Sequence, residues 1–299
     1  MAEIVVGSFT PSVLLDVAEH TGRLRARGLA VTEVPVTSSR DQFRSLLDGE
    51  LAVALTSPDN VIAYRFDTRN PLGRLADARI VAAIDRGLGL GLYARPGSTA
   101  ADLAGAQIGV DVATSGFALA LYALAESLGL DRGSYQLVTL GSTPRRLAAL
   151  LDGDCAATML NAGNELIAER AGCVRLASVS ERLVPYLGTV VAIVGDAHLT
   201  EATELSSALL DTAAEIVAGG LDAEAAASAS SRLGLDDELA RRYVARLRDT
   251  HEGLVPDGSA DPEALRTLVR LRTTYLPSDE RPDPVEQALD GRSGLVPGS

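Results

Sequence analysis

The chain has no lysine. All 27 of its basic residues are arginine, against 40 acidic ones, which gives a net charge of −13 over 299 residues. Without lysine there is no Schiff-base chemistry and no anchor for pyridoxal phosphate. An acidic surface without a basic run argues against nucleic acid and anionic membranes as partners. Tryptophan is absent and aromatics make up 4%, which argues against a large aromatic ligand cage. The two cysteines, Cys155 and Cys173, are too few for a disulfide framework. Cys155 falls in an apolar stretch and reads as a small hydrophobe. The histidines, His20, His198 and His251, are far apart and fit no metal-binding spacing, so neither a metal nor another cofactor is expected. No stretch approaches the roughly 18 uninterrupted apolar residues of a membrane span, so no membrane insertion is expected. Strand-like residues begin at Glu3, with no basic segment and apolar run before them. The expectation is a cytoplasmic protein as written, or a periplasmic or extracellular one whose leader has been removed.

What the chain does have is a pattern used twice. Residues 46–60 read LLDGELAVALTSPDN and residues 150–164 read LLDGDCAATMLNAGN, 104 residues apart and without a gap. The match runs back to Val34 and Val138, and 8 of the 27 aligned positions are identical. Each copy reads as strand, helix, glycine stop, strand and polar loop. Two such units suggest two similar α/β lobes, and a cleft between lobes is a common place for a small ligand.

Strands are expected at 3–8, 29–36, 51–55, 79–84 and 88–94, then at 107–110, 136–140, 154–160 and 188–194. Pro11 is expected to open the first helix, and Ser38 or Ser39 to cap the helix that Gly49 closes. Thr114-Ser115-Gly116 precedes an apolar helix from Phe117 to Leu128, and a further helix starts at Thr143-Pro144. From Glu201 the pattern turns helical, over 203–218, 222–233, 236–252 and 262–275. Residues 278–299, rich in Pro, Gly, Asp and Arg, read as a disordered acidic tail.

In order and spacing these elements resemble the type 2 periplasmic binding proteins. The nearest group holds the solute-binding proteins for aliphatic sulfonates, taurine, nitrate and pyrimidine thiamine precursors. The carriers are SFTP at 8–11, LLDGELAVA at 46–54, DRGLGL at 85–90, ARPGS at 94–98, ADLAGAQIGV at 101–110 and LLDGDCAA at 150–157. The resemblance spans about residues 3–275. It implies an α/β, two-lobed fold with a ligand cleft between lobes and C-terminal helices. Lobe one would comprise 1–88 plus 189–277 and lobe two 89–188, with hinge strands near 87–92 and 189–192. The cleft would be lined by Ser8, Phe9, Thr10, Thr56, Ser57, Asp59, Asp85, Arg86, Thr114, Ser115, Gly116, Asn161, Asn164 and Thr189.

Physical chemistry speaks to several of these. Ser115 and Gly116 stand where a strand ends and a helix begins, a place whose free N–H groups favour an anion. Thr10, beside Pro11, offers the same from the other lobe. The plain alternative is helix capping without a ligand. Arg86 could clamp a carboxylate or sulfonate, or pair with Asp85 or Asp59 and brace the hinge. Phe9 and Phe117 are candidates to stack on a ligand. The implied function is a solute-binding-protein-like receptor for a small anionic organic molecule, closing about a hinge. Its partner would be an ABC transporter permease where the chain is exported. The alternative is a cytoplasmic enzyme on the same scaffold, of lyase, dehydratase, decarboxylase or desulfinase type. Desulfinase-like enzymes carry a cysteine after the first strand, where this chain has Ser8, Phe9 and Thr10. The catalytic residues of such an enzyme stay unassigned. A sensor whose closed state is read by another protein is a third reading.

Overall fold

Two five-stranded sheets carry the fold, and they follow one plan. The computed structural model describes residues 1–296. Its strands are β1 (Ala2–Ser8), β2 (Leu29–Pro35), β3 (Val53–Thr56), β4 (Ala78–Asp85), β5 (Gly91–Ala94), β6 (Gln107–Val110), β7 (Gln136–Thr139), β8 (Ala157–Leu160), β9 (Val174–Ser178) and β10 (Thr189–Val194). The helices of the two lobes are α1 (Val13–His20), α2 (Arg23–Ala26), α3 (Ser39–Leu47), α4 (Pro58–Phe66), α5 (Gly116–Ser127), α6 (Thr143–Asp152), α7 (Asn164–Arg170) and α8 (Val179–Arg182). Four longer helices follow: α9 (Leu199–Ala218), α10 (Asp222–Leu233), α11 (Asp237–Leu247) and α12 (Pro262–Tyr275).

Lobe one is the sheet β2-β1-β3-β10-β4, and lobe two is the sheet β7-β6-β8-β5-β9. In each, the first three strands are parallel. The fourth, β10 or β5, runs antiparallel to both neighbours. Each of these strands arrives from the other lobe's stretch of chain, so the backbone crosses between lobes after β4 and again before β10. The crossings touch. Gly188 N–H donates to Asp85 O at 2.9 Å. A Cβ on Gly188 would lie 2.3 Å from Asp85 Oδ1 and 2.5 Å from Gly87 Cα, so only glycine fits.

The sequence repeat is structural. Helices α3 and α6 begin at Ser39 and Thr143, and strands β3 and β8 at Val53 and Ala157, each pair 104 residues apart. Side chains obey the shift as well. Gln42 on α3 donates through Nε2 to Leu55 O at 3.3 Å, and its mate Arg146 on α6 donates through Nη2 to Met159 O at 3.2 Å. Each polar residue ties its helix to the strand that follows.

Hydrophobic burial fixes the rest. Helix α5 is apolar on every side, with Ala118, Leu119, Ala120, Leu121, Leu124 and Ala125 all buried, as expected of a helix inside a core. Phe43 stacks on Tyr64 with centroids 3.9 Å apart, joining α3 to α4. Helix α9 lies on β4 and β10, while α12 packs against α4 of lobe one and α5 of lobe two. No helix among the described residues is long and apolar enough to cross a membrane.

Three expectations are corrected. The first helix starts at Val13, because Ser12 and not Pro11 caps it, accepting from Leu15 N–H at 3.2 Å. Strand β5 starts at Gly91, since Leu88 takes a left-handed φ of 47° and breaks the extended run. The stretch expected as a disordered tail is packed as far as Val296: Val285, Ala288 and Leu295 are buried, and Leu295 O accepts from Ile80 N–H at 2.7 Å on the edge strand β4. Its apolar residues are too sparse to show a period, yet they cover a sheet edge. Residues 297–299 of that stretch lie outside the described residues.

Candidate ligand-binding cleft

The strand ends of both lobes meet at one level. Ser8 closes β1, Thr56 closes β3, Asp85 closes β4, Asp111 follows β6 and Asn161 follows β8. An open α/β sheet places its ligands outside such strand ends. A cavity of about 120 Å³ lies there, lined from both lobes. Of the expected residues, Ser8, Phe9, Thr10, Thr56, Ser57, Asp85, Ser115, Gly116, Asn161 and Thr189 line it.

Four expected residues do not. Asp59 is buried and taken by Arg272 of α12, with Nε–Oδ1 at 3.0 Å and Nη2–Oδ2 at 2.6 Å. Arg86 is not among the lining residues; it donates to Leu254 O at 2.6 Å and makes no ion pair with Asp85 or Asp59. Thr114 has its side chain at the surface, and its carbonyl accepts from Arg272 at 3.2 Å. Asn164 sits beneath the wall, where its Nδ2 donates to Asn161 O at 3.0 Å. The sequence shows residue type and strand end, but not which way a side chain turns.

The lobe-one helix end is also partly taken. Glu33 of β2 accepts the Ser8 hydroxyl at 2.6 Å and the Ser12 N–H at 2.8 Å, and Arg232 pairs with its other oxygen. An internal carboxylate therefore already takes the Ser8 hydroxyl and the Ser12 N–H on either side of Thr10.

Lobe two supplies the cation instead. Arg146 is 2% exposed and lines the cleft beside Thr143. It donates to Gly141 O at 2.6 Å, to Met159 O at 3.2 Å and to the Thr143 hydroxyl at 3.0 Å. Among the described residues no carboxylate comes within 4.0 Å of its nitrogens. Asp111, on the same wall, favours its charge from farther off, while burial pushes its pKa down. A buried cation without a contacting anion is costly, and an arginine stays charged in a protein. Next to it, Ser115 caps α5, accepting from Ala118 N–H at 3.2 Å and donating to Asp111.

The opposite wall differs. Burial pushes the Asp85 carboxyl up to about 6, although the Thr189 hydroxyl and the Gly87 and Thr189 N–H groups act to hold it down. Around it stand Val13, Leu14, Ile84, Leu88, Tyr243 and Leu247, from α1, the β4 end and α11. The cleft thus has a cationic polar end on lobe two and a mostly apolar end on lobe one. It holds no thiol: Cys155 and Cys173 are buried elsewhere, and burial pushes the Cys155 thiol up to about 11.

Several lining residues escaped the sequence reading. Arg146 was legible in principle, as the mate of Gln42, and Asn60 as a position identical in both copies. Tyr243 and Leu247 carried no signal, because a C-terminal helix brings them in from far along the chain.

This chain has the type 2 periplasmic-binding-protein fold, two lobes joined by two crossings with a cleft between. Many solved structures share it, and three serve as examples. One is a protein from Bordetella bronchiseptica RB50, with a TM-score of 0.74 and 17% identity over 93% of this chain and 91% of that one. Another is the alkanesulfonate-binding protein SsuA from Xanthomonas axonopodis pv. citri bound to MOPS, with a TM-score of 0.73 and 14% identity over 96% and 98%. The third is the desulfurization enzyme DSZB, with a TM-score of 0.64 and 17% identity over 98% and 97%. No protein-family model matches the chain, and neither does any curated protein.

Proposed function

We propose that this protein binds a small organic anion in the inter-lobe cleft and closes on it by hinge motion, as a solute-binding-protein-like receptor. The observation that carries this reading is Arg146, a buried guanidinium at the cleft with no carboxylate in contact among the described residues. Four of its five N–H groups are donated within the protein, so a carboxylate or sulfonate there gains one charge-assisted hydrogen bond, from Nη1, together with the field of the buried charge. The N–H groups at the start of α5 add to that field. The apolar wall of lobe one suits the body of the molecule. The likeness to an alkanesulfonate-binding protein supports the same class of ligand. Where the chain is exported, the partner of its closed form is the permease of an ABC importer. Where it is cytoplasmic, the partner is a regulator.

A second reading rests on Asp85. A carboxyl with a pKa of about 6 in a cleft wall can give and take a proton near neutrality, and one similar structure is an enzyme. With no thiol in the cleft, such an enzyme would be a lyase or dehydratase, and not a desulfinase with a cysteine nucleophile.

One experiment separates the two. The purified protein is screened by thermal shift against sulfonates, taurine, nitrate, aromatic carboxylates and pyrimidine thiamine precursors, with mass spectrometry of each mixture. A micromolar binder at millimolar concentration adds roughly 4 kcal/mol of stability. Stabilisation by a compound whose mass stays the same supports the receptor; a mass change supports the enzyme. No response to any anion would refute the reading.

A further inference from the structure

Arg272 joins three parts of the molecule that are remote in sequence. It lies on α12 and is 3% exposed. Its Nε and Nη2 grip both oxygens of Asp59 on α4, in lobe one, and Nη2 also donates to the carbonyl of Thr114, in lobe two, at 3.2 Å. Thr114 directly precedes Ser115 and Gly116, the start of α5 at the cleft. The same helix is fastened to lobe two by Tyr275, whose hydroxyl donates to Glu126 of α5 at 2.6 Å.

The seam at this point is tight on one side and open on the other. A Cβ on Gly116 would stand 2.7 Å from Asp59 Cβ, so the start of α5 rests directly on the aspartate of the other lobe. Beside this contact is a cavity of about 210 Å³, lined by Asn60 and Tyr64 of lobe one, Val112 and Thr114 of lobe two, and Arg272 itself. At this point the polar contacts are few, Arg272 with Asp59, Asp67 and the Thr114 carbonyl, and open space lies beside them.

We propose that Arg272 and Asp59 are positioning residues for the cleft: they latch the turn at Thr114–Gly116 against lobe one and so set the spacing across which a ligand is held. This rests on the cleft being the ligand site, yet the latch is testable without any ligand. Asp48 and Asp152 are exposed and equivalent in the two lobes. Substituted as Asp48→Cys and Asp152→Cys they carry nitroxide labels, while the native cysteines are buried. Double electron–electron resonance then reads the distance between lobes.

The latched protein should give one principal distance. Arg272→Gln should add a population at longer distance. Arg272→Lys keeps a cation beside Asp59 but loses the fork that reaches Thr114 O, so it should also loosen the lobes, with little change in melting temperature. Gly116→Ala wedges a methyl against Asp59 and should lengthen the whole distribution; because it removes no buried charge, it serves if Arg272→Gln does not fold. Unchanged distances in folded Arg272→Lys and Gly116→Ala would overturn the latch and leave Arg272 as a brace for α12 alone. Failure of the anion screen, in contrast, would strike only the ligand reading.

Discussion

Asp85 offers the most direct test of how the cleft is built. Its carboxyl is buried at the crossing between lobes and raised from 3.8 to about 6, with desolvation as the leading cause. The folded state therefore holds this proton more tightly than the unfolded chain does. Stability from this group is fully present below about pH 4 and is lost as pH rises through 6. Integrated to pH 7, a difference of that size corresponds to about 3 kcal/mol. Asp85→Asn keeps an oxygen to accept the Gly87 N–H, which lies 2.7 Å from Oδ1, and removes the titration. Denaturant unfolding of both proteins between pH 4 and pH 8 isolates the effect, because every other carboxylate cancels in the difference. The variant should match the wild type near pH 4 and exceed it by about 3 kcal/mol at pH 8. A bound anion should show the same group: wild-type affinity should fall as pH rises through 6, and the variant's should stay flat. A stability difference that does not change with pH would refute the reasoning, since it would mean that Asp85 is as easily ionised in the fold as in the open chain.

Arg146→Met should weaken the best anion of the screen by about 2 kcal/mol, roughly thirtyfold, through loss of a charged hydrogen bond; calorimetry reads this, and unchanged affinity would remove Arg146 from the anion seat. Arg86→Ala should leave affinity unchanged and lower stability by about 1 kcal/mol, the worth of its bond to the Leu254 carbonyl. A tenfold loss of affinity in that variant would show that Arg86 faces the ligand after all. Glu165 is wholly buried, and its carboxyl is pushed up to about 7 by desolvation, against the pull of Arg246. Its stabilising share is likewise complete below about pH 4 and lost as pH climbs through 7. Glu165→Gln should remove that slope from a plot of denaturant midpoint against pH, and an unaltered slope would count against it.

Much of the fold was legible, for identifiable reasons. The repeat at 46–60 and 150–164 exposed the two-lobe plan, because glycine stops and apolar strand runs are local features. Strand β8 falls within its expected stretch and β3 overlaps its own, running one residue past it to Thr56, for the same reason. Helix α4 was not legible: it opens at Pro58 straight after β3, inside a run that reads as a polar break, and eight of its nine residues are buried, which leaves no amphipathic stripe to see. The docked segment through Leu295 was missed because its few apolar residues, of which Val285, Ala288 and Leu295 are buried, show no period among Pro, Gly and Asp.

The sequence by itself determined where most of the cleft-forming strands end, and so which short polar segments gather at the cleft. Backbone propensity, caps and glycine stops act within a few residues and can be read one after another. Only the tertiary structure decided what each polar side chain does. Asp59 and Arg86 have the right chemistry for a ligand, but Arg272 claims the first and the Leu254 carbonyl the second. Glu33 takes the Ser8 hydroxyl and the Ser12 N–H on either side of Thr10. Arg146, an ordinary arginine on a helix in the sequence, becomes a buried charge without a contacting anion among the described residues. The physical reason is that hydrogen bonds and ion pairs are satisfied in space: whether a polar group stays available for a ligand depends on which remote residue reaches it first.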